Sequence, residues 1–180
     1  MIHLRLIAAF LLVSASAVTG PSALAAETLA PGNAAPSFTY RLLNGHRLSP
    51  SELRGHPYML WLVASWCPSC KTGSGVIADH IDFLRSHGVR IIELQLADDL
   101  GASGPGLQSF QKAVGARANS PNWYWGAADQ TQTLALDSEG LPDIYYLVSA
   151  NGTIAAVVSA RGPATTWDTI EHFVTAAPKQ

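Results

Sequence analysis

The sequence predicts a mixed α/β sandwich, a central sheet with helices packed on both faces. Two continuous apolar runs, residues 58–64 (YMLWLVA) and 89–96, enclose a stretch in which Val76, Ile77, Ile81 and Leu84 recur at helical spacing. Runs of that kind are expected of buried parallel strands joined by a helical crossover. Downstream, residues 144–148 and 153–160 bracket Asn151-Gly152, the composition of a tight antiparallel hairpin. A parallel unit joined to an antiparallel hairpin gives a mixed sheet.

The remaining elements follow in order. MIHLR is a short basic start and LIAAFLLVSASAV an apolar run too short for an ordinary transmembrane helix. Gly20-Pro21 breaks the run, and Ala23-Leu24-Ala25 has the small-x-small pattern of a signal-peptidase site. Residues 1–25 therefore read as a cleavable signal peptide, or as a membrane anchor through residues 6–18 if left uncleaved. No cysteine directly follows the apolar run, which argues against lipid attachment. Export to a periplasm or the cell exterior is the expected address. Residues 26–36 read as a flexible lead-in, and 37–180 as one folded domain. Within it, residues 37–43 read as a strand entering a turn at Asn44-Gly45. Ser49 caps a helical turn that opens on Pro50. The helix after the cysteines is expected to run to Gly88. Residues 104–114 are expected to be helical, 119–128 largely irregular with a short strand at 123–125, and 131–136 helical. A last helix spans 165–176, with Trp167, Ile170 and Phe173 at core spacing. Trp123-Tyr124-Trp125 either packs in the core or lines a partner groove.

Of the 180 residues 48% are hydrophobic and 13% charged, a composition suited to one well-cored domain. A formal charge of -2 and an isoelectric point near 6.3 give no electrostatic footprint for nucleic acid, so none is expected as a partner.

Both cysteines fall in SWCPSCK, residues 65–71. In an exported chain a structural disulfide is the default, but one closing over two residues restricts the unfolded chain little. A closed zinc site wants about four ligands, and Cys67 and Cys70 supply two. The histidines are scattered, so no metal site is assigned. Two thiolates suffice for copper(I), and a copper(I)-handling chaperone stays open as an alternative. For dithiol chemistry the arrangement is apt. With Pro68 in the first helical turn, the Cys67 sulfur faces unpaired N–H groups that stabilise the thiolate. Cys70, one turn deeper, is placed to resolve a mixed disulfide. Lys71 adds positive charge nearby. The motif also follows the carboxyl end of a predicted parallel strand, where functional loops of such sheets gather.

Residues 48–71, LSPSELRGHPYMLWLVASWCPSCK, resemble the TlpA/ResA-like branch of the thioredoxin superfamily. Gly140-Leu141-Pro142 followed by IYYLVSANGTI resembles the same family's cis-proline loop and the strands after it. The resemblance implies a thioredoxin-like fold and a redox-active Cys67–Cys70 disulfide needing no other cofactor. It makes Pro142 a cis-proline facing the pair, with Trp66, Leu141 and Pro142 at the substrate. The Leu141 backbone would pair with an incoming chain. A protein thiol or disulfide is the implied substrate, and a membrane dithiol donor of the DsbD/CcdA type the implied electron source. A non-catalytic thioredoxin-like binding module is the remaining alternative. A peroxidase is disfavoured, because Ala64 and Leu60 stand where its threonine and proline would be.

The chain departs from the pattern where carboxylates usually sit. Gly73 replaces the glutamate common six residues after the first cysteine, and Gly75 a proline two residues later. Trp61 stands at the position of thioredoxin's buried aspartate. Asp143, where the family often has threonine, is expected to replace the missing acid in part and to tune the thiols.

Overall fold

In the computed structural model, which describes residues 29–176, the strands are β1 Tyr40–Leu42, β2 Arg47–Leu48, β3 Tyr58–Val63, β4 Arg90–Gln95, β5 Trp123–Ala127, β6 Ile144–Val148 and β7 Ile154–Val158. The helices are α1 Pro50–Leu53, α2 Pro68–Asp79, α3 Ile81–Ser86, α4 Leu107–Val114, α5 Gln130–Leu136 and α6 Gly162–Ala176. The expected signal or anchor segment lies outside the described residues. No helix among the described residues is long and apolar enough to cross a membrane.

The strands form one sheet in the order β2-β1-β5-β4-β3-β6-β7. Pairing is parallel for β3–β4 and β4–β5, and antiparallel for β1–β2, β1–β5, β3–β6 and β6–β7. All six residues of β3 are buried, because helices cover both faces of the central strands. Alternate residues feed two cores. Met59, Trp61 and Val63 pack with Ile77, Phe110 and Ile170 from α2, α4 and α6, whereas Leu60 and Leu62 pack with Leu53 and Leu136 from α1 and α5. Each leucine-sized side chain so buried contributes about 1.5–3 kcal/mol.

Four boundaries differ from expectation, each for a local reason. The helix after the cysteines breaks at His80 (φ −106°, ψ 9°), whose ring stacks on Trp167 with centroids 3.9 Å apart. Residues 104–114 become helical only at Leu107, because Gly106 adopts φ 78°. The short strand expected at 123–125 is present and runs on to Ala127 as β5, an interior strand of the sheet, and Trp123 and Trp125 are buried and stacked on each other at 4.9 Å. In the lead-in, Gly32 N–H donates to Ile154 O and Ala35 N–H to Gly152 O at 2.8 Å, which fastens residues 32–35 to the hairpin.

Candidate active site

Cys67 stands at the carboxyl end of β3 and caps α2. Its backbone is extended (φ −75°, ψ 115°), Pro68 opens the helix, and the Cys67 sulfur accepts the Cys70 N–H at 3.2 Å. A sulfur held by a helix N-terminus and an unpaired N–H is favoured as thiolate. Cys67 and Cys70 are joined as a disulfide, with Cα atoms 5.3 Å apart. Ser69 Oγ lies 3.2 Å from the Cys67 sulfur. Cys67 retains 4% exposure and Cys70 none, so Cys67 is the sulfur a partner can reach.

Two loops flank the motif. On one side, residues 97–101 form a 3-10 turn in which Asp98, Asp99 and Leu100 all take left-handed backbone conformations, with φ 50–59°. This brings the buried Asp99 carboxylate under the residue two before Cys67. Its oxygens accept the Ser65 N–H at 2.7 Å and the Ser65 hydroxyl at 2.5 Å, while Asp99 O accepts Trp66 Nε1–H at 2.6 Å. Ser65 Oγ also accepts the Gly106 N–H at 3.0 Å. A Cβ at Gly104 would lie 2.2 Å from Ser65 Oγ, so only glycine fits there. The approach to the cysteines is thereby fixed by charge-assisted bonds.

On the other side, Asp143 is buried. Its Oδ1 accepts Trp61 Nε1–H at 2.9 Å, and its N–H donates to Leu62 O at 2.9 Å. Its carboxylate and both cysteine sulfurs lie within 4.8 Å of one another. Burial raises the Asp143 carboxyl above its ordinary range, and hydrogen bonds from Ser69 and Trp61 offset this in part. A Cβ on Gly162, at the start of α6, would come within 2.3 Å of both Asp143 oxygens. At Gly73 a Cβ would lie 2.9 Å from both the Trp61 ring and Pro163. The Trp61 indole thus fills the space beside α2 that a side chain at residue 73 would need, and it turns its N–H toward Asp143. Around Gly75 there is open space.

Pro142 does not meet the cis expectation. Every peptide bond among the described residues is trans, the Leu141–Pro142 bond included, and the chain turns instead through left-handed Gly140 (φ 67°) and Asp143 (φ 77°). The Leu141 N–H is not free for an incoming chain either, since it donates to Asp137 Oδ1 at 3.2 Å. The Leu141 side chain is 44% exposed and Trp66 38% exposed. Lys71 is exposed, and its side chain makes no hydrogen bond or ion pair among the described residues, while its backbone N–H donates to Cys67 O at 3.2 Å. Among the described residues, Cys67, Cys70 and Asp143 form the one group able to hold a metal ion, and the sulfurs are free to do so only when reduced.

A family model described as the AhpC/TSA family matches residues 31–140, well over half of the chain. The chain belongs to the AhpC/TSA family. Among curated proteins it is 29% identical over 133 residues to the thiol-disulfide oxidoreductase ResA of Bacillus subtilis (strain 168), covering 74% of this chain and 69% of ResA. It is 28% identical over 153 residues to the thiol:disulfide interchange protein DsbE of Xylella fastidiosa (strain 9a5c), covering 82% and 74%. Among solved structures, a secreted Mycobacterium tuberculosis disulfide oxidoreductase superposes with a TM-score of 0.60 at 20% identity, over 78% of this chain and 96% of that one. This confirms the thioredoxin-like fold. This AhpC/TSA member is a thiol–disulfide oxidoreductase of the ResA/DsbE type, with Cys67 and Cys70 as its cysteine pair.

Several groups around the motif escape a reading of the sequence. Asp99 and Ser65 meet across 34 positions, and Glu93 and Ser74 across 19. Asp99 had one available signal, its place in the loop after a parallel strand. Glu93 had another, a lone acid inside an apolar run.

Proposed function

We propose that this protein is an exported dithiol reductase of protein disulfides. The Cys67 thiolate attacks a substrate disulfide, forming one S–S bond and expelling the substrate's other sulfur as a thiolate that takes up a proton. The Cys70 thiolate then attacks the Cys67 sulfur and expels the second substrate sulfur. The substrate gains two electrons, and the enzyme is left with the Cys67–Cys70 disulfide. A membrane dithiol donor of the DsbD/CcdA type resets it, and no other cofactor takes part. Asp143 serves the second attack. With its carboxyl raised by burial, it exchanges a proton with the nearby sulfurs. The exposed Trp66 and Leu141 side chains and the adjoining Pro142 give the substrate an apolar rim. The amino-terminal basic and apolar segment supports export.

The observation that carries this reading is the Cys67 sulfur at the helix amino terminus, with a buried acid within 4.8 Å of both sulfurs. Its test is the equilibrium reduction potential of the pair against a glutathione or dithiothreitol series. A value near −270 mV, that of thioredoxin, supports a reductase; one near −120 mV, that of DsbA, reverses the direction to oxidase. A pair that forms no disulfide shifts the function to soft-metal handling by the two thiolates. Retained partner binding in Cys67→Ala without turnover in the parent indicates a binding module. The role of Asp143 is tested separately by thiol titration, in which Asp143→Asn is expected to displace the curve; an unchanged curve removes Asp143 from the mechanism.

A further inference from the structure

Behind the cysteine helix lies a second acid that the exchange steps do not use. Glu93 sits in the middle of β4, between Trp61 of β3 and Trp125 of β5, and is fully buried. Glu93 Oε2 accepts Trp123 Nε1–H at 3.1 Å. Glu93 Oε1 lies 2.9 Å from Ser74 Oγ, and Ser74 Oγ lies 2.9 Å from the backbone oxygen of Cys70. The ion pairs among the described residues, His46–Glu52 and Arg85–Asp82, are elsewhere. The flanking strands present Trp61, Trp123 and Trp125 to Glu93. The cysteine helix presents Ser74 with Cys70 behind it, and α4 adds Phe110 to the same core. Among the described residues, the charged neighbour acting on it is Asp143, of the same sign.

A count of hydrogens settles the state of this chain of oxygens. The Ser74 hydroxyl has one proton and two oxygen neighbours at hydrogen-bond distance, Cys70 O and Glu93 Oε1. With Glu93 ionised, one of those contacts lacks a hydrogen and an uncompensated charge stays buried. With Glu93 protonated, its O–H donates to Ser74, Ser74 donates to Cys70 O, and Trp123 donates to the other carboxyl oxygen. Every contact is then satisfied.

We propose that Glu93 is held as a neutral carboxylic acid and, through Ser74, is a positioning residue for the resolving cysteine, tying the backbone at Cys70 to the sheet. Burial, which pushes the Glu93 carboxyl well above its ordinary range, acts in the same direction. The tether grips the backbone of Cys70 and leaves that of Cys67 alone, so its loss slows resolution of the mixed disulfide rather than the first attack. That kinetic consequence rests on the two-cysteine exchange described above; the protonation state of Glu93 does not.

The test uses the full chain with Glu93→Gln, Ser74→Ala and Asp143→Asn. Infrared spectra at neutral pH are expected to show a protonated-carboxyl stretch that persists in Asp143→Asn and is lost in Glu93→Gln. Stopped-flow reaction of the reduced protein with a chromogenic aryl disulfide then separates attack from resolution, whatever the physiological direction. Glu93→Gln, whose amide can donate to Ser74 and accept from Trp123, is expected to keep both rates within about twofold of the parent. Ser74→Ala is expected to slow resolution by about tenfold, the scale of one hydrogen bond, with attack unchanged. The proposal is overturned if Glu93→Gln removes no carboxyl band, if it slows resolution as much as Ser74→Ala does, or if Ser74→Ala slows both steps equally.

Discussion

The two loops beside Cys67 each bring a buried aspartate to the motif and treat it in opposite ways. Asp99 receives an N–H and a hydroxyl from Ser65, while Asp143 receives an indole N–H and is pushed up by burial. The first arrangement clamps the backbone ahead of the cysteines. The second leaves a carboxyl able to gain or lose a proton beside sulfur. Identical side chains acquire different work from the donors around them.

The strongest way to break this contrast is Asp99→Ala. It strips the buried Ser65 N–H and hydroxyl of their acceptor and is expected to cost about 3 kcal/mol, read as a lower urea midpoint. A loss under about 1 kcal/mol would show that the clamp is dispensable. Next comes Gly162→Ala, whose methyl would stand 2.3 Å from both Asp143 oxygens. Overpacking of this kind costs about 1–3 kcal/mol, and the displaced carboxylate should also shift the thiol titration. A destabilised protein with an unmoved titration would separate Asp143 from the sulfurs.

Asp143→Asn sharpens the contrast through pH. Because burial raises the Asp143 carboxyl, the folded protein holds this proton more tightly than the unfolded chain does. The resulting stability is full below the ordinary carboxylate range and is lost as pH rises through the folded value. Chemical denaturation between pH 4 and 8 should therefore show a shallower decline in Asp143→Asn than in the parent. Some decline should remain, because burial also raises Glu93 and Asp137. An equal decline in both proteins would count against a raised Asp143. The smallest effect is expected at Gly75, where a methyl meets open space. Gly75→Ala should stabilise the helix by about 0.5–1 kcal/mol, whereas Gly73→Ala, against Trp61 and Pro163, should destabilise. Thermal melts of the pair compare the two directly.

The parts legible in the sequence were those governed by local pattern. β3 and β4 announce themselves as apolar runs, the β6–β7 hairpin by Asn151-Gly152, and Cys67 by Pro68 and the strand before it. β5 showed only as a short strand at 123–125, because Gly126 and the glycine- and proline-containing flanks read as loop. Its strand character comes from pairing with β1 and β4 on either side. The departure at Gly73 was visible but not its cause, which is contact with Trp61 twelve residues earlier and Pro163 far downstream. Asp143 was suspected from adjacency to Pro142. Its burial, and the trans turn that delivers it, depend on backbone angles at Gly140 and Asp143 that composition does not report. Asp99 and Glu93 depend on partners brought close only by the completed sheet.

The fit of Trp61 against Gly73 also constrains how this site can change. At residue 73 the volume a side chain would need is taken by the Trp61 indole, and the indole in turn holds Asp143. Restoring a side chain at residue 73 alone collides with the ring; shrinking Trp61 alone opens a void and removes a donor from Asp143. Each single step passes through a less stable protein. The three positions therefore exchange as a block, and sequences bearing tryptophan at one of them should carry glycine at the second and an acid at the third.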